Sequence, residues 1–198
     1  MAYLVGDGHA NPENVLAVTF TNKAAEEMRS RVETLLGADC SRMWVSTFHS
    51  LCARLLRREA PAIGLSRDFV IYDSSDQLTV VKQALKELHI DDSFVQPRAA
   101  LSRISHAKNR MEGPEVFAST DWNRKDEEIA KVYAYYLKAL KESNALDFDD
   151  LLLKTVELFE QSARVREKYA TQFRHVMVDE YQDTKDRKST RLNSSHRL

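Results

Sequence analysis

Val176-Met177-Val178-Asp179-Glu180-Tyr181-Gln182-Asp183-Thr184 is the stretch on which the reading of the whole chain turns. An apolar, β-rich run from His175 to Val178 breaks abruptly into carboxylates. A fully buried parallel strand has this pattern when its C-terminal end opens into an active-site crevice. Two adjacent carboxylates at such an edge suit a magnesium-nucleotide site. Mg²⁺ keeps most of its waters, so one carboxylate with phosphate oxygens can hold it while a second positions an attacking water. On this chemistry Asp179 is the expected metal carboxylate, directly or through water, and Glu180 the expected catalytic base. A solvated turn after a core strand would also account for a bare Asp-Glu pair. The longer string Asp-Glu-Tyr-Gln-Asp-Thr is what discriminates.

Further strands lie upstream. Val15-Leu16-Ala17-Val18-Thr19-Phe20 reads as a buried strand. Thr21 or Asn22 is positioned to cap the helix that follows, whose Ala25, Met28, Val32 and Leu35 fall at helical spacing before Gly37 ends it. A second strand, Met43 to Thr47, leads into a helix with Phe48, Leu51 or Cys52, and Leu55 turned inward. Two consecutive strand-then-helix units imply parallel strands, and hence an α/β sheet. Ahead of them, Met1 to Val5 reads as the end of a helix, stopped by Gly6 and Gly8 before a turn at Asn11-Pro12.

Beyond Pro61 and Gly64, Phe69-Val70-Ile71-Tyr72 is a short strand, and then the period changes. Ser75 is a candidate cap. Leu78, Val81, Leu85 and Leu88 make one helical stripe, Leu101, Ile104 and Ala107 another, and Ile129, Tyr133, Tyr136, Leu137 and Leu140 a third. Strand character returns only at His175, so residues 73–144 read as a helical insertion within an α/β domain made of 1–72 and 145–184. Asp147 with Asp150 has the spacing of a capping box at the head of a helix carrying Leu152, Val156 and Phe159.

Two strand ends are polar and aromatic together. In Thr19-Phe20-Thr21-Asn22-Lys23-Ala24-Ala25, helix-start N–H groups with the Thr21 and Asn22 side chains can grip a phosphate. Phe20 offers a flat face for a base, worth about 1–3 kcal/mol per stacked base. Ser46-Thr47-Phe48-His49-Ser50 repeats the design one unit later, with Thr47, His49 and Ser50 as phosphate contacts. A capped helix with Phe20 in the core, and a hydrogen-bonded structural His49, account for the same residues. Two such ends in adjacent units would share one edge of the sheet and could carry a nucleic-acid strand.

These strings carry a family resemblance. Asp-Glu-Tyr-Gln-Asp-Thr resembles motif II of the UvrD/Rep/PcrA-type DNA helicases of superfamily 1. Thr-Phe-Thr-Asn-Lys-Ala-Ala is similar to motif Ia and Thr-Phe-His-Ser to motif Ib. Leu146-Asp147-Phe148-Asp149-Asp150-Leu151 is similar to the signature that returns the chain from the family's inserted helical subdomain. The resemblance implies a RecA-like parallel sheet of the P-loop NTPase type, interrupted by that subdomain, in a motor that moves 3′ to 5′ on single strands and unwinds duplex with ATP and Mg²⁺. It implies that Phe20, Thr21, Asn22, Thr47, Phe48 and His49 meet single-stranded DNA. Asp179, Glu180 and Gln182 would contact the nucleotide, with Gln182 coupling that site to DNA. Helicase-nuclease subunits share these motifs, and a non-catalytic single-stranded DNA-binding module is the rival of another class.

No Gly-x-x-x-x-Gly-Lys-Ser/Thr loop occurs anywhere in the sequence. That loop supplies the cradle for the β- and γ-phosphates and a magnesium ligand. The family carries it upstream of the point matching Ala2-Tyr3-Leu4-Val5, so the chain is expected to be a fragment beginning just after it, without the second motor domain and inactive alone. The sheet should then show an unpaired edge with apolar surface. Residues 185–198 are basic, Ser- and Asn-rich and aperiodic, and read as a disordered, foreign tail.

Composition bounds the rest. The 198 residues are 30% charged and 43% hydrophobic, with a formal net charge of −1, so any nucleic-acid surface must be a local patch. Arg98, Arg103, Lys108 and Arg110 come without an intervening acid, as a phosphate-neutralising patch or as a solvated helix face. Cys40 and Cys52 match no metal spacing and read as buried thiols. No signal peptide or apolar stretch of membrane-spanning length occurs, and the expected location is cytoplasmic.

Overall fold

The computed structural model describes residues 1–115 and 124–179. It is an α/β structure with a small parallel sheet and many helices. The chain separates into two compact units: Met1–Leu51 together with the chain from Ala163, and Cys52–Ser162. These divisions lie outside the turning points at 72/73 and 144/145, because the flanking helices pack with the helical block.

The first unit is built on a three-stranded parallel sheet of β1 (Val15–Thr19), β2 (Trp44–Thr47) and β5 (His175–Val178), in the order β2-β1-β5. Leu16 stands level with Trp44 and Val176, and Val18 with Ser46 and Val178. All five residues of β1 are buried, as expected of a central strand covered on both faces. On one face Val15, Ala17, Met43 and Val45 meet Val32, Met28 and Leu36 of α2 (Asn22–Leu36). On the other, the Trp44 ring packs edge-on against Tyr169 and Phe173, at 6.2 and 5.0 Å, at the C-terminal end of α8 (Ala163–Gln172). A short α1 (Ala2–Gly6) leads in, and Gly37 closes α2 in the left-handed conformation at φ 60°.

Two expectations need correction here. Leu35 is 74% exposed, and Leu36 takes the inward place. β5 is parallel but not fully buried. Only β1 flanks it among the described residues, and Val176 is 57% exposed. A strand with one neighbour leaves a row of backbone N–H and C=O groups unpaired.

The second unit packs α4 (Ser74–Glu87), α5 (Pro97–Asn109) and α6 (Arg124–Glu142) around Val81, Leu85, Val95, Ile104, Ile129 and Tyr136. It also contains all but the first turn of α3 (Phe48–Glu59), and α7 (Phe148–Gln161). The capping side chain of α4 is Asp73, not Ser75. Its carboxylate accepts from the N–H groups of Ser75 and Asp76, while Asp76 returns the bond. On α7 the period is as expected but the phase is shifted by one. Leu151, Thr155 and Leu158 are buried where Leu152, Val156 and Phe159 were the expected stripe.

Strand character also returns before His175. β3 (Val70–Ile71) pairs in parallel with β4 (Ala145–Leu146). Asn144, at φ 47°, turns the chain into β4, and its carbonyl accepts from the Val70 N–H at 2.9 Å. The segments entering and leaving the helical block are therefore hydrogen-bonded to each other. No helix among the described residues is long and apolar enough to cross a membrane.

A candidate DNA and nucleotide edge

The ends of β1, β2 and β5 form a row. Thr19 stands level with Thr47. Val18 is level with Val178, and the next residue, Asp179, donates its backbone N–H to the Val18 carbonyl at 3.0 Å. With neighbouring strands about 4.8 Å apart, Thr47, Thr19 and Asp179 cross the C-terminal edge of the sheet as three successive positions. All belong to the first unit. This is the edge at which ligands collect in open parallel sheets.

Local chemistry explains each position. Thr21 is the N-cap of α2. Its backbone is extended, and its hydroxyl oxygen accepts from the Ala24 N–H at 3.1 Å. That leaves the hydroxyl a proton to donate. Asn22, the first residue of α2, is exposed beside it. Thr47 plays a similar part at the head of α3. Its side chain is buried, its hydroxyl oxygen accepts from the Ser50 N–H at 3.3 Å, and the hydroxyl donates to that of Ser50 at 2.8 Å. The pattern of a Thr three residues before a Ser at a strand-to-helix junction carries that signal in the sequence.

Phe20 is not a core residue: 42% of it is exposed. Its ring lies 5.2 Å from that of Phe48 at an interplanar angle of 51°, so two aromatic rings from adjacent strand ends meet at the edge. Phe48 and His49 are half-buried. The structure thus brings Phe20, Thr21, Asn22, Thr47, Phe48, His49 and Asp179 to one end of one sheet. Glu180 and Gln182 lie outside the described residues, as does the tail 185–198.

Arg29 is a neighbour that motif reading passed over. Its guanidinium donates to the Val45 carbonyl at 2.8 Å and to Glu26 at 3.0 Å, fastening α2 to β2 behind the edge. Nothing in its sequence context distinguishes it from a solvated helix arginine.

Asp179 is exposed, and no group of three or more potential metal-ligating side chains occurs among the described residues. One accessible carboxylate at a strand end fits a Mg²⁺ held mainly by water and phosphate, and not an all-protein cage.

In the second unit the candidate basic patch dissolves. Lys108 is 3% exposed, and its ammonium donates to Asp147 at 2.6 Å and to Asp150 at 2.8 Å. The Tyr136 hydroxyl donates to the same Asp147 oxygen at 2.8 Å. Asp147 and Asp150 also form the capping box of α7. Burial pushes the Asp150 carboxyl above its ordinary range, opposed by Lys108, while Asp147 adds to the rise. Burial also raises the Tyr136 hydroxyl, and raises that of Tyr133 to about 12. Arg103 and Arg110 pair with Asp126 and Glu112, each at 2.6 Å. A buried lysine cannot neutralise DNA phosphate, and paired arginines do so less readily, so of these four only Arg98 keeps the form the patch required.

Comparison with known proteins agrees with the motifs. Residues 1–193 match the family model described as UvrD/REP helicase N-terminal domain, and the chain belongs to that family of DNA helicases. Among curated relatives, the ATP-dependent DNA helicase PcrA of Bacillus subtilis is 47% identical over 184 residues, which is 93% of this chain and 25% of the relative. The protein of the same name from Leuconostoc citreum is 45% identical over 194 residues, 98% of this chain and 26% of the relative. A Staphylococcus aureus counterpart is 44% identical over 184 residues. The chain therefore spans about a quarter of the length of these relatives.

Proposed function

We propose that this chain is part of the first, RecA-like motor domain of an ATP-dependent 3′–5′ DNA helicase, and that residues 73–144 are its inserted helical subdomain. In this reading the β1 and β2 ends hold single-stranded DNA and the β5 end serves the nucleotide. The observation that carries it is the partly exposed Phe20 ring backed by Phe48 at the edge where Asp179 emerges. Phe20 presents a face to a base. Thr21, Asn22 and His49 offer hydrogen-bond donors to phosphate oxygens, a contact that is sequence-independent, as translocation requires. Thr47, buried and with its hydroxyl donated to Ser50, would act by fixing the head of α3 beneath the strand.

Bound ATP with Mg²⁺ supplies the phosphoryl bond whose hydrolysis drives the motor. Toward it Asp179 would hold the metal's water shell, Glu180 would take the proton of the attacking water, and Gln182 would relay occupancy to the DNA contacts. The glycine-lysine phosphate loop does not occur in these 198 residues, so they should not turn over ATP by themselves.

Single-stranded DNA binding by the chain and by Phe20→Ala tests the reading. Weaker binding with unchanged folding supports it. Equal binding by the two would refute the placement of DNA on this edge.

A further inference from the structure

We propose that the opposite, N-terminal end of the same sheet carries a second, smaller site for a phosphate group, centred on Arg174. A cavity of about 150 Å³ opens there, lined by Gly8, His9, Asn11, Asn14, Arg174 and His175, with Ala10 completing the wall. Its lining residues include one arginine, two histidines and two asparagines, and no carboxylate residue. None of the ion pairs among the described residues involves Arg174.

The supporting frame is built. Asn14 donates its side-chain N–H to the Gln172 carbonyl at 2.9 Å, tying the turn before β1 to the segment that enters β5. The His9 ring packs 5.3 Å from that of Tyr3. Asn11 stands at the N-cap of the 3-10 turn Pro12–Asn14, yet its side chain makes no capping hydrogen bond and stays available. Gly8, at φ 73°, has nothing within 4 Å of where a Cβ would stand.

Size and charge select the ligand. The volume is several times the ~30 Å³ share of one water, and well short of the ~300–1,000 Å³ that encloses a nucleotide-sized molecule. A tetrahedral oxyanion fits both limits. Arginine presents a planar fork that meets phosphate oxygens two at a time, and imidazoles add donors. The five-residue β1 spans roughly 16 Å, so this phosphate is separate from any held beside Thr21 and Asn22. Free phosphate and a nucleic-acid backbone phosphate share the chemistry, and the experiment distinguishes them.

Imidazole NMR signals of the 198-residue chain would be followed while inorganic phosphate replaces chloride at constant pH and ionic strength. We expect His9 and His175 to shift and saturate at roughly millimolar phosphate, with His89 of the other unit as the unmoved control. Arg174→Gln should abolish the shifts. Asn11→Asp, which places a carboxylate in the lining without disturbing a cap, should weaken binding about tenfold or more. A parallel titration with oligothymidylate, in the Phe20→Ala background, assigns the source. The same shifts at lower concentration identify backbone phosphate, and shifts with inorganic phosphate alone identify the free ion. No selective shift up to about 20 mM phosphate, an equal response to chloride, or shifts retained in both variants overturns the site.

Discussion

The Phe20 and Phe48 rings touch at 5.2 Å although α2 and β2 lie between them in the chain. Parallel pairing of β1 with β2 is what makes them neighbours, because it sets Thr19 level with Thr47 and so aligns the next residue of each strand. A side chain 42% exposed and backed by a second ring has lost part of its own hydration without being buried. That arrangement suits stacking on a third flat partner.

Phe20→Ala should therefore weaken single-stranded DNA binding by about 1–3 kcal/mol, roughly five- to 150-fold, while thermal unfolding stays close to that of the parent. The two readouts separate the roles. A loss of about 3–5 kcal/mol of stability, typical of truncated core phenylalanines, would show that the ring serves packing instead.

Lys108→Met should destabilise the helical unit by about 3–5 kcal/mol, because it leaves Asp147 and Asp150 buried without their cation. Urea unfolding measures this, with the exposed Lys86→Met as a control expected within about 0.5 kcal/mol of the parent. A small loss at Lys108 would mean that the carboxylates take up protons or water at little cost.

Stability should fall as pH rises above about 10. Tyrosines of the unfolded chain ionise near 10, whereas burial holds Tyr133 protonated to about 12 and Tyr136 higher still. Over that window the unfolded state binds fewer protons than the native state, so the slope of stability against pH is negative. Phenolate absorbance should show these two hydroxyls ionising only as the chain unfolds. Tyr136→Phe should keep a reduced form of the alkaline loss, from Tyr133 alone.

In a full-length protein containing this segment, Glu180→Gln should retain ATP binding and lower DNA-stimulated hydrolysis by about 10²–10⁴-fold. Near-normal turnover would remove Glu180 from the role of base.

Much was legible from residue order alone. The continuous apolar runs at Val15 and Met43, each followed by a helical period, required parallel strands, and the structure has them. The capping box at Asp147 and Asp150 is equally local, since both bonds close within one turn. Phase is harder to read than period. Leu35 and Leu152 lost their inward places to Leu36 and Leu151, because a one-residue rotation of a helix is settled by the neighbour it packs on.

What sequence determined here was therefore element type, strand direction and family, since each depends on short-range pattern and on side-chain chemistry carried in fixed strings. Tertiary structure alone decided that Lys108 is an internal counter-ion and not a DNA contact, that Phe20 lies outside the core, and that β3 clasps β4. Each of those depends on which distant segment arrives opposite. Burial and electrostatic partnership belong to pairs of segments, and a pattern within either segment cannot specify them.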